Sequence, residues 1–423
     1  MLISFIAFIA FIALKVPIAY GLFASSMLYM ILNNVPLEMA VQRLAIGVDS
    51  FPLIAVPFFI FAGNIMNSTG ITKKIFSFAD HLVGHLTGGL GHANILASVI
   101  FSGMSGAAIA DAGGLGAIEL QAMKEAGYDD DFSLAITGAS SIIGPIIPPS
   151  IPAVIFAVTG GVSTGRLFAA GVLPGLLMAL VMAVMVYFAC KKANYKKRKR
   201  ATIREILASF KDAFFALMAP VIILGGIISG AFTPTEAAII AVFYSIAVGF
   251  LYKSLKVSDL PGMIKETLDI TVSVFFIVAA ASLFGLVLTI SQVPQQLAAS
   301  FVQLFPNKIA ALFMINVFLL IVGFFMEPTA AIMILVPILL PITNALGVDP
   351  VHFGIIMILN LMIGLLTPPV GMVLYVLSSV SGVPFERIAR VSFPYVVVLT
   401  GLLLVFTYVP QIVLVVPNWL FQK

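Results

Sequence analysis

Four short stretches hold most of the groups in this sequence that could bind an ion or an anion. Gly144–Pro152 reads G-P-I-I-P-P-S-I-P, and Gly364–Gly371 reads G-L-L-T-P-P-V-G. Ser102–Gly106 is S-G-M-S-G, and Met326–Ala331 is M-E-P-T-A-A. Proline lacks an N–H and clashes with the carbonyl four residues back, so Pro148, Pro149 and Pro152 must stop an apolar helix. The residue before each proline is pushed toward an extended conformation. Such a break frees backbone carbonyls and N–H groups at membrane depth, where only protein or a water-filled cavity can satisfy them. Carbonyl oxygens, the hydroxyls of Ser102, Ser105, Ser141, Ser150, Thr329 and Thr367, and the Glu327 carboxylate suit a hard monovalent cation such as Na⁺. The N-terminal ends of half-helices suit an anion. The chemistry this set predicts is an anionic substrate carried together with Na⁺.

Groups of this kind need a membrane around them, and the composition supplies one. The chain has 423 residues, 61% hydrophobic and 9% charged, with mean hydropathy +1.15. That composition describes a polytopic membrane protein. A single cysteine, Cys190, excludes a disulfide framework within the chain. Four histidines with no H-E-x-x-H or Cys/His cluster argue against a metalloenzyme, and no G-x-x-x-x-G-K-[ST] nucleotide loop is present. Energy must come from an ion gradient or a partner. Met1–Leu14 is apolar without a charged leader or a cleavage site, and reads as a retained membrane segment.

The elements that position the four stretches follow from hydropathy. Apolar segments run over Met1–Leu14, Ile18–Leu32 and Phe51–Met66, with an amphipathic surface helix within Asn33–Asp49. Ile71–His85 is amphipathic and lies along the membrane surface. Leu90–Ala126 has two arms, each short for a crossing of about 20 residues, and reads as a re-entrant hairpin with the Ser102–Gly106 tip. Phe132–Thr159 carries the first break, and Leu167–Ala189 is a conventional span. The second half offers spans at Phe214–Ala231 and Glu236–Leu251, an amphipathic stretch at Val257–Leu268, and a crossing at Ile270–Ile290. Val293–Phe305 lies outside the core. Ile309–Ala345 is a second hairpin, Phe353–Val380 carries the second break, and Val391–Val415 is the last span.

The halves repeat. Gly144 and Gly364, Pro148 and Pro368, and Pro174 and Pro394 are all separated by the same interval, and Arg166 and Arg387 fall one position off it. A shared G-x-x-x-P-P with neighbours in register points to internal duplication. The run K-K-A-N-Y-K-K-R-K-R at Lys191–Arg200 lies beside a span and marks a cytoplasmic loop rather than a nucleic-acid site. It divides the chain into a first repeat (1–190), a linker (191–212) and a second repeat (213–423). With that loop inside, Lys15, Lys73, Lys74, Lys124, Lys253, Lys256, Arg387 and Arg390 also fall inside. Arg43, Arg166, Lys308 and Lys423 fall outside, as do both termini. Five crossings and one hairpin per half invert the repeats. The predicted fold is an all-α polytopic protein with two re-entrant hairpins and two proline-broken helices in inverted repeats, the signature of a secondary transporter.

Other readings attach to the same residues. Gly103, Gly106, Gly113, Gly114 and Gly116 also fit as small residues that let hairpin arms approach. Glu327 stands at membrane depth, where an ionisable group marks a site, and it could equally start a helix beside Pro328. Gly103–Gly106 matches the G-x-S-G of rhomboid intramembrane proteases, which would make Ser105 a nucleophile and require a base within hydrogen-bond reach. His81, His85, His92 and His352 are not placed for that role. No arginine lies between Arg204 and Arg387, so an anion there would be held by helix ends and hydroxyls.

At G-P-I-I-P-P-S-I-P, M-E-P-T-A-A, G-L-L-T-P-P-V-G and the F-P-L-I-A-V-P-F-F-I-F-A-G of Phe51–Gly63, the chain resembles the large membrane subunit of TRAP (tripartite ATP-independent periplasmic) transporters, the DctM-like family. The resemblance covers essentially the whole chain. It implies an elevator-type importer of organic acid anions such as sialic acids or C4-dicarboxylates, driven by Na⁺ with no organic cofactor. A periplasmic substrate-binding protein would deliver the substrate. A small four-helix membrane subunit, a separate chain by the length of this one, would complete the scaffold in the bacterial inner membrane. Carried onto this sequence, one Na⁺ site comprises Ser102, Gly103, Ser105, Gly144 and Pro148, and the other Gly323, Glu327, Gly364 and Thr367. Ser150, Thr329, Pro149 and Pro369 would face the substrate. Ile71–His85 and Val257–Leu268 would be arm helices bracing the elevator. The competing function is a self-sufficient Na⁺/anion symporter that needs no binding protein.

Overall fold

A computed structural model describes residues 2–14, 16–193, 195, 198–305 and 307–421. Lys15 and Lys423, assigned above to faces by charge, lie outside the described residues, as do Asn194, Lys196 and Lys197 of the basic run. Among the described residues all regular structure is helical, and eight helical stretches are long and apolar enough to cross a membrane.

Two bodies of helices pack side by side. The first holds α1 (Leu2–Ala13), α2 (Ile18–Leu32), α3 (Glu38–Val48) and α4 (Ala55–Ser68) from the start of the chain. The second holds the first hairpin, α6 (Gly89–Ser105), α7 (Ala108–Ala110) and α8 (Gly116–Glu125), with α5 (Ile71–Val83) lying between the bodies. The broken pair α9 (Asp130–Ser141) and α10 (Ile151–Gly160) and the long α11 (Thr164–Ala193) follow in the second body. The chain then returns to the first body as α12 (Ile203–Ile228), α13 (Pro234–Leu251) and α14 (Leu260–Ile290). Beyond α15 (Val293–Leu304) come the second hairpin, α16 (Lys308–Phe325) and α17 (Pro328–Ala345), and the second broken pair, α18 (Pro350–Gly364) and α19 (Met372–Ser381). The closing helices are α20 (Phe385–Tyr408) and α21 (Pro410–Phe421). Within the first body α4 packs on α13, and α14 on α2 and α3; within the second, α16 packs on α18, α20 on α9 and α10 on α17.

Local chemistry sets the ends that matter. Asp130 and Asp131 occupy the first turn of α9, where acidic groups favour the helix dipole. α10 starts after Ser150, whose hydroxyl accepts from the Ala153 N–H at 3.1 Å, with Pro152 in its first turn. α18 starts after Asp349, whose carboxylate accepts from the N–H groups of Val351 (2.7 Å) and His352 (3.3 Å). α10 and α19 both end on a glycine with positive φ, Gly161 and Gly382, which stand one position off the interval that relates the two halves. The hairpins keep that interval without a slip: Ala108 matches Pro328 at the start of the returning arm, and Glu125 matches Ala345 at its end.

Four expectations from hydropathy need correction. Val257–Leu268 is not a separate surface helix, because the 31-residue α14 runs unbroken from Leu260 to Ile290. No helix breaker lies between Leu268 and Ile270 to divide it. The helix beside the second hairpin is instead α15, which begins close to one interval after the start of α5. It packs on α17, the returning arm of the second hairpin, whereas α5 packs mainly on α6, the outgoing arm of the first. The linker is shorter than 191–212, since α12 already starts at Ile203 with a reciprocal cap between Thr202 and Glu205. The last span is two helices, divided at Val409–Pro410.

Arg198 of the basic run lies on the face where α5 and the end of α13 meet. Arg198 pairs with Asp80 of α5, and the Lys74 ammonium sits 4.5 Å above the Tyr252 ring.

Candidate functional site

Each hairpin tip is tied to a helix break by backbone. At the first, the Ile151 N–H donates to the Gly106 carbonyl at 3.4 Å, and a Cβ on Gly106 would stand 2.5 Å from the Pro149 carbonyl oxygen. Gly106 has φ +61°, so both space and backbone demand glycine there. Across the break, the Ser150 hydroxyl donates to the Pro145 carbonyl at 2.5 Å. At the second, the Val370 N–H donates to the Phe324 carbonyl at 3.2 Å. Gly323 and Gly364 meet main chain to main chain, since a Cβ on Gly364 would lie 2.4 Å from the Gly323 carbonyl carbon. Both breaks contain a cis peptide bond, Pro148–Pro149 and Pro368–Pro369.

The two tips border one cavity of about 600 Å³. The first hairpin lines it with Ser105–Ala110, Gly113 and Gly114, and the second with Glu327, Pro328 and Thr329. The first break contributes Pro145, Ile151 and Pro152. Opposite them, the first body supplies Asn64 and Asn67 of α4 and Glu266, Ile270 and Val274 of α14. The starts of α10 and α17 thus both border the cavity, and helix starts carry positive partial charge suited to an anion. Glu327 is half-buried and caps α17, its carboxylate accepting from the Ala330 N–H at 3.0 Å. The helix-start reading of this residue is therefore correct, and its carboxylate still borders the cavity. A second crevice of about 530 Å³ lies between the same two bodies toward the other end of α14, and Arg43 is on its wall.

The sequence-derived site residues divide by position. Ser105, Glu327 and Thr329 line the cavity. The Ser105 hydroxyl is buried with no hydrogen-bond partner, which leaves it free for a ligand. Ser102 donates to the Val99 carbonyl (2.6 Å) and Thr367 to the Ile363 carbonyl (2.7 Å), so both hydroxyl protons serve their own helices. Gly103 faces α12, where an added Cβ would meet Pro220 at 2.3 Å. Gly144 and Pro148 lie in the fully buried first break, with Gly144 beside Ala107 of the hairpin. Gly323 and Gly364 form the close contact at the second break. Pro149 and Ser150 are buried behind the cavity wall rather than on it, and Pro369 is exposed. The side chains that face the hairpin tips from the first body, Asn64, Asn67 and Glu266, were missed from sequence. The pair Asn64 and Asn67, one turn apart in an apolar helix, was the available signal.

The serine-protease reading fails on geometry. The His81, His92 and His352 rings bond to the backbone carbonyls of Ser77, Thr87 and Phe406, and Ser105 has no base within reach. Among the described residues no group of three or more His, Cys, Asp or Glu could hold a metal ion. A cation here would rest on carbonyls and hydroxyls, with the Glu327 and Glu266 carboxylates the acidic groups on the cavity wall.

Discontinuous helices whose broken ends and hairpin tips surround one cavity define a multi-pass membrane transport protein, not an enzyme. The sequence model described as "Tripartite ATP-independent periplasmic transporter, DctM component" matches residues 5–412, and the chain belongs to that family. It is 45% identical over 404 residues to the sialic acid TRAP transporter large permease protein SiaM of Vibrio cholerae, covering 95% of each chain. It is 42% identical over 421 residues to the sialic acid TRAP transporter permease protein SiaT of Haemophilus influenzae, covering 99% of this chain and 68% of that one. To the C4-dicarboxylate TRAP transporter large permease protein DctM of Pseudomonas aeruginosa it is 40% identical over 373 residues, covering 88% and 87%. Among solved structures it shares the fold of the YdaH transporter of Alcanivorax borkumensis, with TM-score 0.62 at 15% identity, covering 88% of this chain and 87% of that one.

Proposed function

We propose that this chain is the large membrane subunit of a Na⁺-driven importer of an organic acid anion, supplied by a periplasmic substrate-binding protein and completed by a small membrane subunit. The observation that carries the reading is the single cavity bordered by both hairpin tips and by the starts of α10 and α17. Relatives named for sialic acid and C4-dicarboxylate transport favour a carboxylate substrate, and sialic acid is the first to test. One Na⁺ would sit where Ser105 and the first tip meet the carbonyls of the first break, near Ser102, Gly103, Gly144 and Pro148. The other would sit where Glu327 and the second tip meet Gly323, Gly364 and Thr367. The anion would lie between them against the helix starts, beside Thr329.

The second body would move as an elevator past the first, braced by α5 and α15. Crevices at opposite ends of the interface between the bodies are what such sliding requires. By the positive-inside rule the face with Arg198 and Lys74 is cytoplasmic, so the cavity at the tips opens inward and Arg43 faces the periplasm. The membrane is then the bacterial inner membrane, with both termini periplasmic and the repeats inverted.

The test is uptake of labelled sialic acid into proteoliposomes holding this chain and its small subunit. Accumulation should require an inward Na⁺ gradient and added binding protein. Uptake of equal rate without the binding protein would select the self-sufficient symporter, and uptake without Na⁺ would remove the coupling.

A further inference from the structure

Two carboxyl groups of the first hairpin play no part in the site above. Asp111 and Glu119 are both 0% exposed. Asp111 opens a π-helical turn, Asp111–Leu115, and Glu119 follows in α8. In a regular helix, residues eight apart point about 80° away from each other; the extra residue of a π turn reduces this to about 20°. The π turn therefore brings both carboxyls round to α6.

There α6 presents Asn94 and Ser98, one turn apart. Ser98 Oγ donates to Asp111 Oδ1 at 3.2 Å, and Asn94 Nδ2 donates to Glu119 Oε2 at 2.6 Å. The amide is fully committed, because Nδ2 also donates to Thr137 Oγ1 (2.8 Å) and Oδ1 accepts from Ser140 Oγ (2.6 Å). The remaining oxygens, Asp111 Oδ2 and Glu119 Oε1, are buried with no partner. The titratable groups on the elements packed here are Lys73, Lys74, Asp80 and His81 on α5, His92 on α6, and Lys124 and Glu125 on α8. To these α9 adds Asp130 and Asp131, and α19 adds Tyr375. None of them pairs with either carboxyl: among the described residues the ion pairs are Arg198 with Asp80 and Arg387 with Asp131.

The second hairpin shows that the fold does not need these acids. The interval between the halves sets Ala331 opposite Asp111 and Leu339 opposite Glu119, and both are buried. A contact from hairpin to broken helix is present there too, on a residue two positions off the interval from Asn94: Asn360 Nδ2 donates to Asn316 Oδ1 at 2.7 Å. A buried carboxyl without a cation is neutralised by taking up a proton. Sodium fits the spot poorly, since hard cations gather about six oxygens. Among the described residues the side-chain oxygens left without a partner here are Asp111 Oδ2 and Glu119 Oε1, and they belong to carboxyls two turns apart. Water is close at hand, because Ala108–Ala110 and Gly113–Gly114, on either side of Asp111, line the cavity.

We propose that Asp111 and Glu119 form a proton-binding site in the first hairpin, holding at least one proton on the pair and exchanging it with cavity water. The step is a protonation alone: water or buffer gives a proton to a carboxylate oxygen, an O–H bond forms, and the reverse returns it. This site stands independently of the Na⁺ coupling proposed above.

The test is infrared spectroscopy of the lipid-reconstituted protein at neutral pH, following the C=O stretch of a protonated carboxyl. Asp111→Asn and Glu119→Gln imitate the acid form. Asp111→Ala and Glu119→Leu, which copy the second hairpin, replace them if either fails to fold. The expected result is a band in the wild type that one of the substitutions removes and that Na⁺ leaves unchanged. No band, a band that neither substitution removes, or a band that Na⁺ abolishes would overturn the proposal, the last by making the pair a sodium site.

Discussion

In the first half of the chain, residues 141–150 are buried throughout, whereas Pro368 and Pro369 of the second break are exposed. Both breaks hold their hairpin by one backbone hydrogen bond, Ile151 to Gly106 and Val370 to Phe324. The side chains behind them differ. In the first hairpin the Asn94 amide bonds two hydroxyls of the broken helix, Thr137 and Ser140, and a carboxyl of the hairpin's own returning arm, Glu119. In the second the Asn316 amide bonds the amide of the broken helix, Asn360, and a hydroxyl of α20, Thr407, and the one carboxylate, Glu327, is at the tip. Proline and glycine thus set the shape twice, and the charged chemistry is placed differently in each half: deep in one hairpin and at the tip of the other.

This contrast can be tested by substitutions. Gly364→Ala forces a Cβ to 2.4 Å from backbone that cannot swing away, while the nearest atom to a Cβ on Gly144 is the Ser141 carbonyl oxygen at 3.3 Å. Overpacking of the first kind costs roughly 1–3 kcal/mol. Gly364→Ala should therefore lower the melting temperature and uptake clearly, and Gly144→Ala much less; equal effects would mean the breaks are not packed as described. Asn94→Leu takes a partner from three buried side chains, Glu119, Thr137 and Ser140, and Asn316→Leu from two, Asn360 and Thr407. Leaving a buried polar group unpaired costs about 1–3 kcal/mol, so denaturation should rank Asn94→Leu as the more damaging. Glu327→Gln should weaken the start of α17 by about 1 kcal/mol and flatten the Na⁺ dependence of uptake. An unchanged Na⁺ dependence would take Glu327 out of the ion site. The smallest effect is at Arg387 and Asp131, a 2.7 Å pair about half exposed on each side. A double-mutant cycle should give a coupling of about 0–1 kcal/mol that fades with salt.

The sequence made some of this legible and hid the rest for physical reasons. A proline cannot donate a hydrogen bond wherever it stands, so the breaks at Pro148–Pro149 and Pro368–Pro369 could be read directly, and the spans followed from hydropathy. The Val409–Pro410 division carried the same signal and was passed over inside a long apolar run. The continuity of α14 was obscured because Lys265, Glu266 and Asp269 made its first turns resemble a surface helix, though exposed turns can continue into a span. Which residues face the cavity depended on helix rotation. Ser105, Glu327 and Thr329 reach it, whereas Pro149 and Ser150 turn to the wall behind. The π turn at Asp111 shifts the register of the hairpin by one residue, and no periodicity count reveals that.

The claim that both hairpin tips belong to one site is tested most directly by thiol accessibility. With Cys190 replaced by alanine, Ser105→Cys and Thr329→Cys would each be exposed in membranes to an impermeant thiol reagent from one side at a time. Both should label from the cytoplasmic face, and Na⁺ together with the transported acid should slow both to the same extent. Labelling of the two tips from opposite faces, or protection of one without the other, would contradict a shared cavity.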